Sequence, residues 1–333
     1  MNLGDNMYDK KMAMFYILDI LKEYSDKEHL LKQKDIIEKL HNIYMVDIER
    51  KTIASTIELL TEYGYDIVKD KNGVYLNERD FDETQIKFLI DAIYSSKTIT
   101  GEQAKELSEK LYSSFSKYQR KDYSYIEKST EISRTTNKEF FYNIDIISEA
   151  IKLKKKIKFN YLIYDNKGKL VERRDGYTYS VSPYYLVNNF GRYYLICNID
   201  KYEDHSNFRL DYITKIELTD DDIKPIENVK TLGKNFNINK HINDHVYMFG
   251  GNIITAKVLV KEDWAIKNVY DWFGKNATLK NEDDKLYAYI RTDEKAFLYW
   301  ALQYCEDYKV IEPEYLKKQM IEHAKAMLND YEG

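Results

Sequence analysis

Two groups of side chains in this sequence combine residue types that bind phosphates and nucleobases. The first group is rich in basic and hydroxyl side chains and comprises Arg50, Lys51, Thr52, Ser55, Thr56, Lys69 and Lys71. Such side chains on one helix and a neighbouring hairpin can reach the phosphates and base edges of a DNA major groove. The group predicts contact with duplex DNA. The alternative is a solvated helix in a protein-interaction domain.

The second group mixes aromatic rings with cationic side chains and comprises Tyr161, Arg173, Ser182, Arg192, Tyr194, His205 and Arg209. Guanidinium groups bind phosphates through paired donors, and tyrosine rings offer faces on which bases stack. This composition predicts a nucleotide or single-stranded nucleic acid as ligand. If Phe208 and Leu210 are core residues, Arg209 faces the open side of its strand; otherwise it is buried with a carboxylate. His205 is either a ligand contact or part of an exposed loop.

Catalysis has little support, because the motifs of phosphate-binding loops, zinc proteases and serine hydrolases are absent from the sequence. We therefore expect no enzyme and no cofactor. His241 and His245 are four residues apart, as metal ligands on a helix can be, but Asn243-Asp244 and Gly250-Gly251 predict a loop. No third ligand is evident, so no metal site is predicted.

The composition bounds the remaining possibilities. The chain has 333 residues with 51 Lys+Arg and 56 Asp+Glu, a net charge of -5, which argues against nucleic-acid binding. Residues 1–80 are themselves acidic, with 12 Lys+Arg against 16 Asp+Glu, so DNA contact requires a local basic face. Two cysteines are too few for a disulfide framework. The absence of a signal peptide pattern and of long apolar runs predicts a cytoplasmic protein without membrane contact.

Residues 1–80 predict three helices followed by a hairpin. Asp47 is the expected N-cap of a third helix over 48–63, which Gly64 ends. The side chains predicted to pack inward from this helix are Ile53, Ile57, Leu59 and Leu60. Asn72-Gly73 between two β-prone runs is a strong hairpin signal. The combination predicts a winged helix-turn-helix DNA-binding domain.

The rest of the chain predicts three further segments, so the fold class is α+β and multidomain. Residues 81–141 contain capped helices that we assign to a helical linker and dimerisation region. Residues 142–228 change to a period of two and predict about five short strands in a small antiparallel barrel. Residues 229–333 give the order βαββαβ of a ferredoxin-like unit. Trp264, Trp272 and Trp300 are predicted to be core residues because of their helical spacing and apolar neighbours.

In this order, the segments resemble the WYL-domain transcriptional regulators of bacteria. The residues that carry the resemblance are Ser182-Pro183-Tyr184-Tyr185-Leu186, Asn188-Asn189-Phe190-Gly191, Tyr193-Tyr194-Leu195 and Phe208-Arg209-Leu210-Asp211-Tyr212-Ile213. Tyr193 stands where the family has its naming tryptophan, and Ser55-Thr56 stand where it has Arg-Asp. The resemblance implies an Sm-like WYL barrel over 142–228 that senses a ligand, with Arg209 as a ligand contact. It also implies a WCX extension of ferredoxin-like fold over 229–333.

We therefore expect a ligand-responsive DNA-binding regulator that acts as a homodimer. Its winged helices would bind duplex DNA, and its barrel would sense a nucleotide or single-stranded nucleic acid. A dimer suits an acidic DNA-binding domain, whose affinity as a monomer is expected to be weak, because the second contact becomes intramolecular once the first has formed. The alternative is a module that senses nucleic acid or binds proteins without binding DNA.

Overall fold

The computed structural model describes residues 5–77, 81–122, 134–233 and 236–332. The chain forms two compact units, residues 1–134 and 135–333. Both units contain helices and antiparallel sheets, which confirms the α+β class. Within the described ranges, every helix is too short or too polar to cross a membrane.

The first unit begins with three helices and a hairpin. These elements are α1 (Asp5–Tyr24), α2 (Gln33–Tyr44), α3 (Arg50–Tyr63), β1 (Ile67–Asp70) and β2 (Gly73–Leu76). Apolar side chains of all three helices share one core with the hairpin. Val74 in β2 also pairs with Leu31, which ties the hairpin to the loop between α1 and α2. Gly73 is required there, because a Cβ at this position would lie 2.6 Å from the Leu31 carbonyl oxygen.

Helix α3 begins later than predicted. Its N-cap is Glu49 rather than Asp47, and the Asp47 carboxylate instead contacts the His41 ring, with 2.9 Å between Oδ1 and Nδ1. Leu59 is 57% exposed, so its predicted inward packing is wrong. Leu59 follows the buried Ile57 by two residues, which places it about 200° further round the helix, on the opposite side.

Three more helices complete the described part of the first unit: α4 (Glu83–Ser95), α5 (Gly101–Tyr112) and α6 (Lys117–Asp122). The predicted capping boxes of α4 and α5 are confirmed, with Asp82 and Thr100 accepting from the backbone N–H groups of Gln85 and Gln103. These helices belong to the same compact unit as α1 to α3. Residues 123–133 of the predicted connector lie outside the described residues.

The second unit opens with a helix and a strongly bent sheet. These elements are α7 (Phe140–Leu153), β3 (Lys155–Tyr164), β4 (Leu170–Glu172), β5 (Thr178–Asn189), β6 (Arg192–Asn198), β7 (Ser206–Arg209) and β8 (Ile213–Asp222). Strand β3 pairs with β4, β5 and β8, and the sheet continues from β5 to β6 and β7. Residues 178–181 of β5 pair with β3, whereas residues 182–189 pair with β6, and the register shifts just after Pro183. The proline therefore marks the point where one strand passes between the two halves of the sheet.

The chain ends in a four-stranded sheet covered by helices. These elements are β9 (Ile253–Val260), α9 (Ile266–Phe273), β10 (Ala277–Glu282), β11 (Lys285–Asp293), α10 (Glu294–Gln303), β12 (Tyr308–Glu312) and α11 (Glu314–Glu332). The sheet order is β10-β11-β9-β12, and the pairs are antiparallel. The chain order β9 to β12 with α9 and α10 is the predicted βαββαβ order.

Helix α8 (Ile238–Asp244) lies between the bent sheet and this last sheet in the chain. Of the three tryptophans, Trp300 is fully buried, as predicted, and Trp272 packs at the edge of the same core. Trp264 is 58% exposed, so its predicted place in the core is wrong. It lies in the short turn before α9 and therefore does not follow the helical spacing of Trp272.

Candidate functional sites

A groove in the first unit is lined by basic side chains. The start of α2, the first half of α3 and the hairpin enclose a volume of about 560 Å³. Its cationic lining residues are Lys32, Lys34, Arg50, Lys69 and Lys71. The acidic lining residues are Glu58 and Asp70. The groove is therefore locally basic within an acidic domain.

The residues predicted on α3 divide into exposed and buried positions. Lys51, Thr52 and Ser55 are exposed, and the Ser55 hydroxyl donates to the Thr52 carbonyl oxygen at 3.0 Å. Thr56, in contrast, is only 7% exposed and is placed among the inward residues of the helix. It follows Ile53 by three residues, so it lies on the same face of the helix. Its predicted contact with DNA is therefore corrected to a packing role.

On the hairpin, Lys69 lies 3.7 Å from the Glu58 carboxylate of α3. Both side chains are largely exposed, so water screens this ion pair and Lys69 can exchange its partner for a phosphate. Lys71 lies at the hairpin turn and is exposed. Both predicted hairpin lysines therefore line the same groove as Arg50.

In the bent sheet, Arg209 is held in a fixed position. Its Nε and Nη2 donate to the two carboxylate oxygens of Asp211 at 3.1 and 2.5 Å, and its guanidinium lies 4.3 Å from the centre of the Tyr212 ring. Phe208 and Leu210 are core residues, so Arg209 faces away from them, as one alternative predicts. Arg209 is also paired with a carboxylate, that of Asp211, as the other alternative predicts. Burial lowers the pKa of Arg209, but its bonds to Asp211 outweigh this and raise the pKa on balance.

Two tyrosines surround this arginine. The hydroxyl of Tyr161 accepts from the backbone N–H of Arg209 at 3.2 Å, and Tyr194 is opposite Arg209 in the β6–β7 register. Burial raises the pKa of both hydroxyls, so each stays protonated at neutral pH. Arg192 is exposed and forms a hydrogen bond with Tyr194. Four of the seven predicted ligand residues are thus brought together: Tyr161, Arg192, Tyr194 and Arg209. We call them the Arg209 cluster.

The other three predicted ligand residues lie in different surroundings. Ser182 is fully buried, and its hydroxyl accepts from the backbone N–H of Lys224 at 2.9 Å, so its predicted ligand contact is corrected to an interior role. Ser182 lies where β5 changes its pairing partner from β3 to β6, and residues 181–184 are all buried there. The backbone N–H of Arg173 donates to the Tyr161 carbonyl oxygen at 2.7 Å, which places Arg173 beside β3. His205 precedes β7 and contacts other histidines.

The residues that contact His205 form a cluster that the sequence did not predict. His241 lies on α8 and His245 follows its last residue, so the predicted loop is wrong. The helix forms because Asn237 caps it, its side-chain oxygen accepting from the Lys240 N–H at 3.0 Å. The ring centres of His205 and His241 are 4.8 Å apart, and those of His241 and His245 are 4.1 Å apart. One ring nitrogen from each histidine lies within 4.8 Å of the others.

The environment of this cluster favours neutral rings. Burial, followed by repulsion from the His245 ring, lowers the pKa of His205 to about 4. Burial and repulsion from the other two rings lower the pKa of His241 to about 3. Both imidazoles are therefore uncharged at neutral pH. The sequence signal was the His-x-x-x-His spacing, but nothing in the sequence indicates that the loop carrying His205 folds onto it.

Comparison with known proteins agrees with this architecture. The WYL domain family matches residues 142–218, and the WCX domain family matches residues 252–328. No curated protein matches the chain significantly. Among solved structures, proteasome accessory factor B/C (PafBC) of Arthrobacter aurescens is 16% identical over 96% of this chain, with a TM-score of 0.29. This chain spans 49% of the PafBC chain.

A second solved structure, described as a CRISPR Cas-related protein, is 15% identical and has a TM-score of 0.38. The match covers 97% of this chain and 92% of the other. The two domain matches occur in the order that the sequence predicts, a WYL domain followed by a WCX domain. The chain therefore contains a WYL domain over residues 142–218, followed by a WCX domain over residues 252–328.

Proposed function

We propose that this protein is a DNA-binding transcriptional regulator whose WYL domain senses a nucleotide or single-stranded nucleic acid. The observation that carries the proposal is the basic groove between α2, α3 and the hairpin of the first unit. Five cationic and two acidic side chains line it, although the surrounding domain has an excess of acidic residues. Such a concentration of positive charge on one face is typical of a phosphate-binding surface.

The proposed DNA contact follows from the order and exposure of the elements. The three helices and the hairpin correspond to a winged helix-turn-helix, in which the third helix enters the major groove through its N-terminal half. Arg50, Lys51, Thr52 and Ser55 lie in that half of α3 and are exposed. In this arrangement Lys71, at the hairpin turn, contacts a flanking phosphate. Base edges are then read by α3, while the hairpin fixes its position on the duplex.

Homodimerisation is part of the proposal because one groove supplies few phosphate contacts. A twofold dimer places two grooves on a palindromic site, and the second contact forms at high effective concentration once the first is made. The helical linker, residues 81–141, is the proposed dimerisation region. In the proposed mechanism the two DNA-binding domains of the dimer can adopt two relative arrangements. A ligand that binds one arrangement more tightly than the other shifts the equilibrium between them and so regulates DNA binding.

The Arg209 cluster is the proposed sensor. Asp211 engages two of the donors of the Arg209 guanidinium, and an arginine has five, so the remaining donors are available to a phosphate. The bidentate contact and the Tyr212 ring fix the guanidinium plane before any ligand arrives, which reduces the entropy lost on binding. The Tyr161 and Tyr194 rings beside it are of the kind on which bases stack.

A pair of charge-matched variants tests the DNA-binding proposal. Arg50→Ala with Lys71→Ala removes two positive charges from the groove. Lys105→Ala with Lys110→Ala removes two from exposed ion pairs on α5, outside the groove. We expect the groove variant to bind DNA flanking its own gene about tenfold or more weakly in fluorescence anisotropy, and the α5 variant to bind like the wild type.

The opposite result has a clear meaning. If the wild-type protein shows no salt-sensitive, sequence-preferring binding to DNA, with or without added nucleotides, the DNA-binding proposal is wrong and the protein-interaction alternative takes its place.

A separate experiment tests the sensor. Mass spectrometry of material released from the purified protein should find a nucleotide or oligonucleotide. Arg209→Met should release less of it. Equal recovery from both proteins contradicts the role of the Arg209 cluster.

A further inference from the structure

The three histidines of the second unit form an arrangement that the proposed function does not use. His205 lies in the loop before β7, within the matched WYL domain, whereas His241 and His245 lie between the matched WYL and WCX domains. The fold brings one ring nitrogen of each within 4.8 Å of the others. Among the described residues, these three histidines form the one group of three or more histidine, cysteine or acidic side chains whose ligand atoms lie close enough together to hold a metal ion.

The hydrogen bonds around the three rings leave one ring nitrogen of each histidine without a partner or with a lone pair. The Nε2 atoms of His205 and His241 are buried and have no hydrogen-bond partner. His245 Nδ1 lies 3.0 Å from the His241 carbonyl oxygen, which only accepts, so Nδ1 carries the proton and Nε2 has a lone pair. A buried nitrogen without a partner is unusual in a folded protein, and two of them lie together in this cluster.

Thr231 fixes the ring of His205. The Thr231 hydroxyl oxygen accepts from the His205 backbone N–H at 3.1 Å and lies 2.7 Å from His205 Nδ1. With Nδ1 donating to this oxygen, Nε2 of His205 is the free nitrogen. Metal-binding histidines commonly use the same device, an outer oxygen that orients the ring and sets which nitrogen is protonated.

We propose that His205, His241 and His245 bind a divalent transition-metal ion of the class to which Zn²⁺ belongs. The cluster of ligand atoms consists of three imidazoles, a set that suits Zn²⁺, Co²⁺, Ni²⁺ or Cu²⁺ and does not suit Mg²⁺ or Ca²⁺, which prefer oxygen ligands. Asp244 is not a competing ligand, because Arg291 holds both of its carboxylate oxygens. Three protein ligands leave one position of a tetrahedral ion open.

The geometry requires a small closure of the rings. Ligand nitrogens around a tetrahedral zinc ion with Zn–N distances of 2.0–2.1 Å are about 3.3 Å apart, so the widest spacing of 4.8 Å must shorten by about 1.5 Å. Rotation of side chains at the edge of a cavity provides such a movement. A cavity of about 660 Å³ contains all three histidines in its lining, which leaves room for a water or small anion at the open position.

A metal ion here joins two parts of the second unit. His205 belongs to the bent sheet, while α8 is held to the last sheet by the bonds between Asp244 and Arg291 of β11. Coordination by all three histidines therefore fixes the WYL domain to the helix that contacts the WCX domain. The site has a structural or regulatory character, and it is independent of the DNA-binding and ligand-sensing proposals.

The test uses the full chain, stripped with EDTA and titrated with ZnCl₂ by isothermal calorimetry. We expect one Zn²⁺ per chain, and a visible d–d absorption band when Co²⁺ replaces it. Loss of an outer oxygen partner typically weakens metal binding by about 10- to 100-fold. His205→Ala and His241→Ala each remove a metal ligand, so we expect each to weaken zinc binding by more than that. Thr231→Val should lose about 10- to 100-fold for that reason. His41→Ala with His323→Ala is the matched control and should bind zinc like the wild type.

Circular dichroism of each metal-free variant checks folding. His205 lies in a half-exposed loop, so His205→Ala and Thr231→Val provide the answer even if His241→Ala does not fold. Zinc should raise the melting temperature of the wild type but not of His205→Ala, because only the folded state assembles the site. Less than one bound Zn²⁺ at saturation, or equal affinity in His205→Ala and the control, overturns the proposal.

Discussion

Asp26 offers a strong test of how the first unit is held together. It follows α1 and is 6% exposed. Its Oδ1 accepts from the backbone N–H groups of Glu28 and His29 at 3.0 and 2.9 Å and contacts His29 Nδ1 at 2.8 Å. Its Oδ2 accepts from the Ser116 hydroxyl at 2.7 Å. One carboxylate therefore links the loop after α1 to the segment before α6.

The magnitude follows from these four contacts. Asp26→Ala removes the carboxylate and leaves the buried Ser116 hydroxyl without this acceptor. The other three donors are partly buried, so water replaces their lost acceptor only in part. We expect the free energy of unfolding to fall by about 3 kcal/mol in total. Asp26→Asn keeps an oxygen at the Oδ1 position, and the Ser116 hydroxyl can accept from the new amide. Only the charge is lost, so we expect about 1 kcal/mol for this variant.

The stability lost in either variant, relative to the wild type, also depends on pH. Burial tends to raise the pKa of Asp26, but the bonds from Ser116 and His29 lower it on balance below its ordinary 3.8. A carboxyl with a depressed pKa contributes stability that is complete above the unfolded value and is lost as the pH falls through the folded one. The difference in unfolding free energy between wild type and Asp26→Asn should therefore be constant near pH 7 and shrink below about pH 4.

Guanidinium denaturation of the full chain with two probes measures these effects. All three tryptophans, Trp264, Trp272 and Trp300, lie in the second unit, so their fluorescence reports that unit alone. Far-UV circular dichroism reports both units. We expect Asp26→Ala to shift the dichroism transition and leave the fluorescence transition unchanged. Equal shifts in both probes, or equal losses for the Ala and Asn variants, would refute the reasoning.

Three further predictions concern the groove, the sensor and the hairpin. Arg50→Ala with Lys71→Ala should reduce the slope of log affinity against log salt by about 3 to 4 for a dimer and by about half that for a monomer, as measured by anisotropy between 50 and 200 mM salt. Arg209→Met should abolish nucleotide capture while DNA affinity without ligand stays within about twofold, since it lies outside the groove. Gly73→Ala should destabilise the first unit by about 2 kcal/mol in the dichroism transition. Gly168→Ala, where a Cβ meets open space, should have a smaller effect.

Features that depend on residues close together in the sequence were predicted correctly. The hairpin at Asn72-Gly73 formed as predicted, because turn geometry depends on the residues in the turn itself. The capping boxes at Asp82 and Thr100 formed for the same reason. The order of elements in the last sheet also followed from local periodicity. Each of these features is determined by side chains within a few positions of one another.

Features that depend on distant neighbours were predicted less well. The Asp47 carboxylate contacts His41 of α2, so it does not cap α3 as predicted. The error at Leu59 is of a different kind, because helical spacing from the buried Ile57 already places Leu59 on the exposed side. Ser182 is buried where β5 passes from pairing with β3 to pairing with β6, and a strand pattern does not show such a change of partner. His205 meets His241 and His245 only because a loop folds onto a helix 36 positions further along the chain. Contact between such distant segments is set by tertiary packing, which local periodicity does not encode.

The pairing of β3 has a consequence for how the chain is made. Lys155 in β3 pairs with Asp222 at the end of β8, so this edge of β3 stays open on the ribosome until β8 has been synthesised. At about 5–20 residues per second, that interval lasts several seconds. An open strand edge can pair with a neighbouring chain, and lysines on the strand oppose such pairing through charge repulsion. Lys155, Lys156 and Lys158 lie on this strand. Three positive charges therefore lie along this strand while its edge is open.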